Sequence, residues 1–258
     1  MSNGAERENL AVVTGASSGI GAALAKQLSG RGYRVLAVAR RAERLAELEK
    51  SSGGRIVPLA LDLTADGAPE RVAARAAELG GADLLVGNAG YGSFGPFRDA
   101  PREKMVNILR LNVLAGVELT HLLLPVMLER KQGGVIVVTS SGGMYPTPNL
   151  AVYGGSKAFL LSWGEALAME LRGTGVRVLV ACPGPTATEF GDVAGMADLM
   201  AKAPGVMQPE AVATALLSAF DAGQVLAVPG AGNWMMSAIF QRLPRGLTRK
   251  LAAAMFKR

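Results

Sequence analysis

At 258 residues the chain has room for one large α/β domain or two small ones, with a sizeable core. Half of it is apolar, and its single cysteine (Cys182) and single histidine (His121) exclude an internal disulfide, a cysteine-rich zinc site and a multi-histidine metal site. The net charge of +6 lies in the tail, since residues 222–258 hold six basic side chains and no acid and leave 21 of each sign in a neutral body, a distribution that argues against nucleic acid.

The polar start, residues 1–9, has no apolar signal region, and no uninterrupted apolar run reaches the ~18 residues of a membrane span. With the lone cysteine, this predicts a reducing, cytoplasmic setting. Residues 10–13 form a wholly apolar run that reads as a buried parallel strand. A glycine-rich turn, residues 15–21, leads into a helix over 22–30. A strand over 34–39 and a charged helix over 41–50 follow. Strands are expected at 55–61 and 82–87, with a helix at 69–79 between them. A long helical pattern runs over 102–131, then a strand over 134–139, a helix over 155–172 and a strand over 176–181. A helix over 209–220 and a strand over 225–228 complete the series. Apolar strands alternating with helices predict one doubly wound, mostly parallel α/β domain. We place it at residues 1–230, with a basic extension at 231–258.

A glycine-rich turn between a first strand and a helix makes room for a pyrophosphate at the helix N-terminus, where free N–H groups favour anions. Here the spacing is Gly15-x-x-x-Gly19-x-Gly21, with Ser17, Ser18 and Ile20 inside it. A dinucleotide fold that takes NAD usually ends its second strand with an acid for the ribose 2′-hydroxyl. That position is Ala39, followed by Arg40 and Arg41, so NADP(H) is favoured over NAD(H). Arg40 is the main support for this selectivity, while Arg41 also reads as the start of a solvated helix. Further on, Tyr153 and Lys157 stand four apart at the entry to an apolar helix and share a face. A phenol titrates near pH 10, and an adjacent ammonium favours its ionised form.

Thr14-Gly15-(x)3-Gly19-Ile20-Gly21, Asn88-Ala89-Gly90, Asn112, Ser140, Tyr153-x-x-x-Lys157 and Pro183-Gly184 resemble, in order and spacing, the short-chain dehydrogenase/reductases with the TGxxxGxG fingerprint. The similarity covers about residues 8–230, and residues 182–190 look like the general oxidoreductase branch. It implies a single-domain Rossmann fold with a seven-stranded parallel sheet, order 3-2-1-4-5-6-7, and helices on both faces. It also implies that Asp62 and Leu63 touch adenine, that Asn88-Ala89-Gly90 lines the cofactor, and that Thr186 and Thr188 face the nicotinamide. This chain departs from the family at Gly87, often an asparagine, and at Ser18, where many NADP users carry a basic residue.

The catalytic set implied is Ser140, Tyr153, Lys157 and Asn112. Ser140 holds the substrate oxygen, with Ser141 as its rival for that role. Tyr153 exchanges a proton with it, and Lys157 lowers the phenol's pKa and binds the nicotinamide ribose. Asn112 interrupts an apolar helix face and, in the family, anchors a water chain to the lysine. The function so implied is an NADP(H)-dependent interconversion of an alcohol and a carbonyl; the rival reading is a non-catalytic NADP(H)-binding sensor or scaffold. No metal is required. Phe94, Met144, Tyr145, Leu150 and Phe190 are expected to line the substrate side, under a methionine-rich lid at about 188–208, which predicts a mainly apolar pocket.

His121 reads as structural. In the tail, Leu243, Leu247, Leu251 and Met255 are four apart, with Pro244 and Gly246 breaking the helix in two. Packing on the domain or on a neighbouring subunit is the favoured expectation there, and contact with an anionic membrane is the alternative. The apolar helices at 102–131 and 155–172 point, with the resemblance, to a homodimer or homotetramer.

Overall fold

A computed structural model of the chain describes residues 8–256. The remaining residues, including Lys257 and Arg258 of the basic tail, lie outside the described residues. Seven strands form one parallel sheet in the order β3-β2-β1-β4-β5-β6-β7. They are β1 (Leu10–Thr14), β2 (Arg34–Ala39), β3 (Ile56–Ala60), β4 (Leu84–Gly87), β5 (Gly133–Val138), β6 (Val176–Ala181) and β7 (Leu226–Ala227). β1 pairs with β2 on one side, Val12 opposite Leu36, and with β4 on the other, Val12 opposite Leu85. The chain direction through the sheet therefore reverses at β1/β4, which opens a crevice at the carboxyl ends of these strands.

The sheet is buried on both faces, which is why its strands read as continuous apolar runs rather than alternating ones. Successive side chains still point to opposite sides. Ala11, Val13, Val35 and Ala37 face one core, closed by Leu24 and Leu28 of α1 (Gly19–Gly30), Leu45 of α2 (Ala42–Lys50) and Leu216 of α9 (Pro209–Asp221). Leu10, Val12, Leu36 and Val38 face the other, closed by Val72 of α3 (Ala68–Glu78), Leu119 and Leu123 of α5 (Ala115–Glu129) and Leu160 of α6 (Ala151–Glu170). Each such leucine, taken fully out of water, contributes about 1.5–3 kcal/mol.

The expected 102–131 helix is interrupted. It comprises α4 (Arg102–Leu109), a π-helical turn (Arg110–Leu114) and α5. The interruption centres on Asn112, whose buried amide is fully engaged. Its Oδ1 accepts from the Tyr91 backbone N–H at 3.0 Å, and its Nδ2 donates to the Tyr91 carbonyl at 3.1 Å and to Ser156 Oγ at 3.0 Å. A buried amide must find such partners, and the wider turn carries the side chain to them. By length and composition the stretch Arg102–Glu129, which holds an 18-residue window of mean hydropathy 1.7, could also cross a membrane, which the absence of an unbroken apolar run did not foretell. In this structure its inner face, Ile108, Ala115, Leu119, Leu123 and Met127, is buried.

After β6, the short helices α7 (Phe190–Ala194) and α8 (Ala197–Ala201) stand over the crevice, and a single bridge from Thr186 to Met207 returns the chain to the body. Beyond β7 come α10 (Ala231–Arg242) and α11 (Arg245–Met255). Only the proline breaks this tail; Gly246 lies inside α11, since a glycine weakens a helix turn where a proline, lacking an N–H, ends it. The tail packs back on the domain: Asn149 Nδ2 donates to the Phe256 carbonyl at 2.8 Å, and the Phe240 ring lies 4.5 Å from that of Tyr145.

Candidate active site

Gly15, with φ of +67°, makes the turn out of β1 that most residues resist, and a Cβ on Gly21 would collide with the Gly15 carbonyl oxygen. The loop and helix therefore close up as only glycine allows. Thr14 ties the turn to the next strand: its hydroxyl donates to the Val86 carbonyl at 3.1 Å and accepts from the N–H groups of Asn88 and Ala89 at 2.9 and 3.0 Å. Asn88 Nδ2 donates back to the Thr14 carbonyl at 2.9 Å. At the start of α1, Ser18 makes no side-chain cap and no acid stands in the first turn. The helix N-terminus faces the crevice as an anion site free of competing carboxylates on its own element.

The cleft there is about 710 Å³ and runs from this loop to the C-terminal helices. The wall around the glycine loop includes Gly15, Ser17, Ser18, Gly19 and Ile20 from the loop, Arg40 and Arg41 from the end of β2, and Asp62 and Leu63 after β3. Asn88, Ala89, Gly90, Pro183, Gly184, Thr186 and Thr188 complete it. Gly21 lies beneath this wall rather than on it.

The two arginines differ. Arg40 is largely exposed and stands 3.9 Å from Asp62. Arg41 is not a free helix residue: its guanidinium reaches Ser17 Oγ, Ser18 Oγ and the Glu189 carboxylate. It thereby brings to the loop the positive charge that position 18 itself lacks.

Ser140 lies two residues past the end of β5, and its hydroxyl accepts from the Gly142 N–H at 3.1 Å. Tyr153 sits in the first turn of α6, which begins at Ala151, ahead of the expected start at 155. Burial pushes the Tyr153 phenol up to about 12, and a hydrogen bond with the Ser140 side chain offsets part of that rise. Lys157 is buried too, and the loss of solvation pulls it down to about 8. Its Nζ donates to the Val138 carbonyl at 2.9 Å and lies 5.9 Å from the Tyr153 ring centre. In the free protein burial of the phenol therefore acts against the lowering expected from this ammonium. Asn112 lies behind the cleft, joined to α6 through Ser156, whose hydroxyl donates to the Tyr153 carbonyl at 2.6 Å.

Of the residues expected to face substrate, Tyr145, Leu150 and Phe190 line the cleft, and the Phe190 ring is 5.1 Å from that of Tyr153. Phe94 and Met144, expected with them, are not among its lining residues. Phe94 packs against Leu150, Ala194 and Met196 beside α7, where its N–H donates to the Ala194 carbonyl at 2.8 Å. Met144 follows the tight turn Ser141–Gly143, and Tyr145 takes the wall instead. Five lining residues come from the tail, which sequence reasoning did not place here: Asn233, Met236, Ser237, Met255 and Phe256. Thr147 was also missed; the buried Asn233 donates through Nδ2 to the carbonyls of Gly205 and Pro229. His121 is exposed and lines no part of the cleft. Cys182 is buried against Thr139, 2.9 Å away, with its thiol pushed up by burial to about 11. Among the described residues no group of three metal-ligating side chains could hold a metal ion.

A family model for short chain dehydrogenases matches residues 9–196. The chain belongs to the short-chain dehydrogenase family. It is 40% identical over 187 residues to a short chain dehydrogenase of Pseudocercospora fijiensis, across 70% of this chain and 60% of that one. An uncharacterized oxidoreductase of Myxococcus xanthus is 42% identical over 184 residues, across 70% of this chain and 73% of that one. Among solved structures, a short-chain dehydrogenase from Sphingobium yanoikuyae in complex with NADPH superposes with a TM-score of 0.79 at 28% identity, covering 92% of this chain and 97% of that one. The chain thus spans under two thirds of the first relative's length. Short-chain dehydrogenases of this fold bind nicotinamide cofactors. The residues present here fit such a group: a glycine cradle that a Cβ would fill, an uncapped helix N-terminus and two arginines meet in one cleft.

Proposed function

We propose that the protein is an NADP(H)-dependent oxidoreductase that interconverts an alcohol and a ketone or aldehyde on an apolar substrate. One observation carries this reading. Ser140, Tyr153 and Lys157 converge on the same cleft whose other end holds the glycine loop, Arg40 and Arg41. The glycine loop and the N-terminus of α1 would hold the pyrophosphate, the arginines the 2′-phosphate, and Asp62 and Leu63 the adenine side. When bound, the nicotinamide supplies or accepts the hydride.

In the reducing direction the Ser140 hydroxyl donates to the substrate carbonyl oxygen and fixes it beside Tyr153. The Tyr153 O–H then passes its proton to that oxygen as negative charge develops there. The resulting phenolate is unfavourable in so dry a setting unless a positive charge stands near, and Lys157 supplies it while it keeps its proton. Asn112 holds the Tyr91 backbone and, through Ser156, the first turn of α6 in register. Tyr145, Leu150, Phe190, Met196 and Met200 make the substrate wall largely apolar and exclude water.

The test is a panel of carbonyls, from small ketones to long-chain and polycyclic ones, followed by loss of NADPH absorbance. Turnover of a member, shifted toward NADH by Arg40→Asp, supports the assignment. Tight NADPH binding with no turnover across the panel would favour the sensor reading instead.

A further inference from the structure

Arg41 is the most heavily engaged cation in the cleft. Its Nε and Nη2 donate to Ser17 Oγ at 3.2 and 3.1 Å, its Nη2 to Ser18 Oγ at 2.8 Å, and its Nη1 to Glu189 Oε2 at 2.8 Å. Two of these partners belong to the glycine loop, but Glu189 comes from a different part of the chain, 148 residues away, immediately before the lid helix α7. The two elements also touch directly: a Cβ on Gly19 would come within 2.8 Å of the Thr188 methyl. Hydrogen bonds from Arg41 and from Ser18, with the guanidinium charge, hold the Glu189 carboxyl below the usual range, so it is ionised at neutral pH.

A carboxylate therefore sits on the guanidinium that lines the adenosine end of the cleft, hydrogen-bonded to the loop beneath it. Carboxylate and phosphate are the two anions an arginine fork matches best, and they compete for the same N–H groups. The pair is within reach of a ligand, since the side chains of Arg41 and Glu189 remain 43% and 44% exposed. Glu189 is not needed to shape the loop, which Gly15, Gly21, Thr14 and Asn88 hold without it.

We propose that Glu189 is an internal competitor for the 2′-phosphate of NADP(H), holding Arg41 in the free protein and opposing the incoming phosphate, so that this residue sets how strongly NADP(H) is preferred over NAD(H). The proposal rests on the reading that the cleft takes a nicotinamide dinucleotide. NAD(H) carries only an uncharged 2′-hydroxyl at that position, which does not compete with a carboxylate for the guanidinium.

Calorimetric titration of the full chain with NADPH and with NADH tests it, using wild type, Glu189→Gln, Arg41→Ala and the double variant. Glu189→Gln keeps size and polarity and removes only the charge. It tightens NADPH about two- to fivefold, the range an exposed ion pair supports, and does not tighten NADH. Arg41→Ala weakens NADPH alone, and in that background the gain from Glu189→Gln shrinks. An unchanged NADPH-to-NADH affinity ratio in Glu189→Gln, or a lower one, overturns the competition, as does equal tightening of both dinucleotides. Wild type that binds neither dinucleotide overturns the cofactor reading itself, an outcome distinct from either.

Discussion

Tyr153 and Lys157 are both buried, and burial acts on them in opposite senses. The phenol, at about 12, keeps its proton across the working range, so it is always ready as an acid. The ammonium, at about 8, does not: it is charged below that pH and neutral above it. If the positive charge is what makes the phenolate tolerable, kcat/KM for carbonyl reduction is level up to about pH 8 and falls above it. Lys157→Arg, whose guanidinium does not titrate in this range, is slower throughout but loses the decline. A rate that stays level through pH 9.5 in wild type would show that the charge on Lys157 is not used.

The spacing of Tyr153 and Lys157 puts them on one helix face, but their expected roles, like that of Ser140, came only from the whole motif set read together. Their titration was not legible in the sequence, because it depends on how completely α6, β5 and the lid exclude water. The contacts of Arg41 were hidden for a similar reason. Its partners Ser17 and Glu189 lie 24 and 148 residues away, and no local pattern joins them.

Among the elements, the strands were the most readable because they are apolar on both faces; β1, β2 and β6 fall within a residue of where the sequence places them. The π-helical turn at Arg110–Leu114 left only one sign in the sequence, an asparagine on an apolar face. That turn is held by the Asn112 amide, so Asn112→Leu leaves the Tyr91 backbone groups and Ser156 short of partners. The expected cost is about 1–3 kcal/mol, read as a lowered midpoint in denaturant unfolding. No loss of stability would mean that the turn is set by packing rather than by the amide. In the loop between β1 and α1, Gly21→Ala places a methyl group against the Gly15 carbonyl. Dinucleotide binding is expected to be lost while the sheet stays folded, measured by calorimetry beside circular dichroism. Unchanged binding would show that the loop opens at little cost.

For the molecule as a whole, the tail completes the cleft. Met236, Ser237, Met255 and Phe256 wall its far end, while Trp234, Met235, Ile239, Leu247 and Leu251 remain exposed on the other sides of α10 and α11. The amphipathic pattern of the tail was visible in the sequence; that its inner face closes a cleft formed by residues a hundred positions earlier was not. A second apolar surface lies on α4, α5 and α6, where Leu109, Leu114, Leu122, Leu128, Phe159 and Met169 are exposed. Faces of this kind mark protein contacts. Light scattering at micromolar concentration is expected to give the mass of a dimer or tetramer, and a monomer would leave these side chains without a role in assembly.

The central claim is that the cleft performs acid–base chemistry on a substrate oxygen through Tyr153. The most direct measurement compares wild type with Tyr153→Phe on a carbonyl that the panel identifies, with NADPH affinity determined for both. Removing one hydroxyl is expected to cost about 10²–10⁴ in kcat and to leave NADPH binding nearly intact. A phenylalanine variant that turns over at close to the wild-type rate would contradict the account.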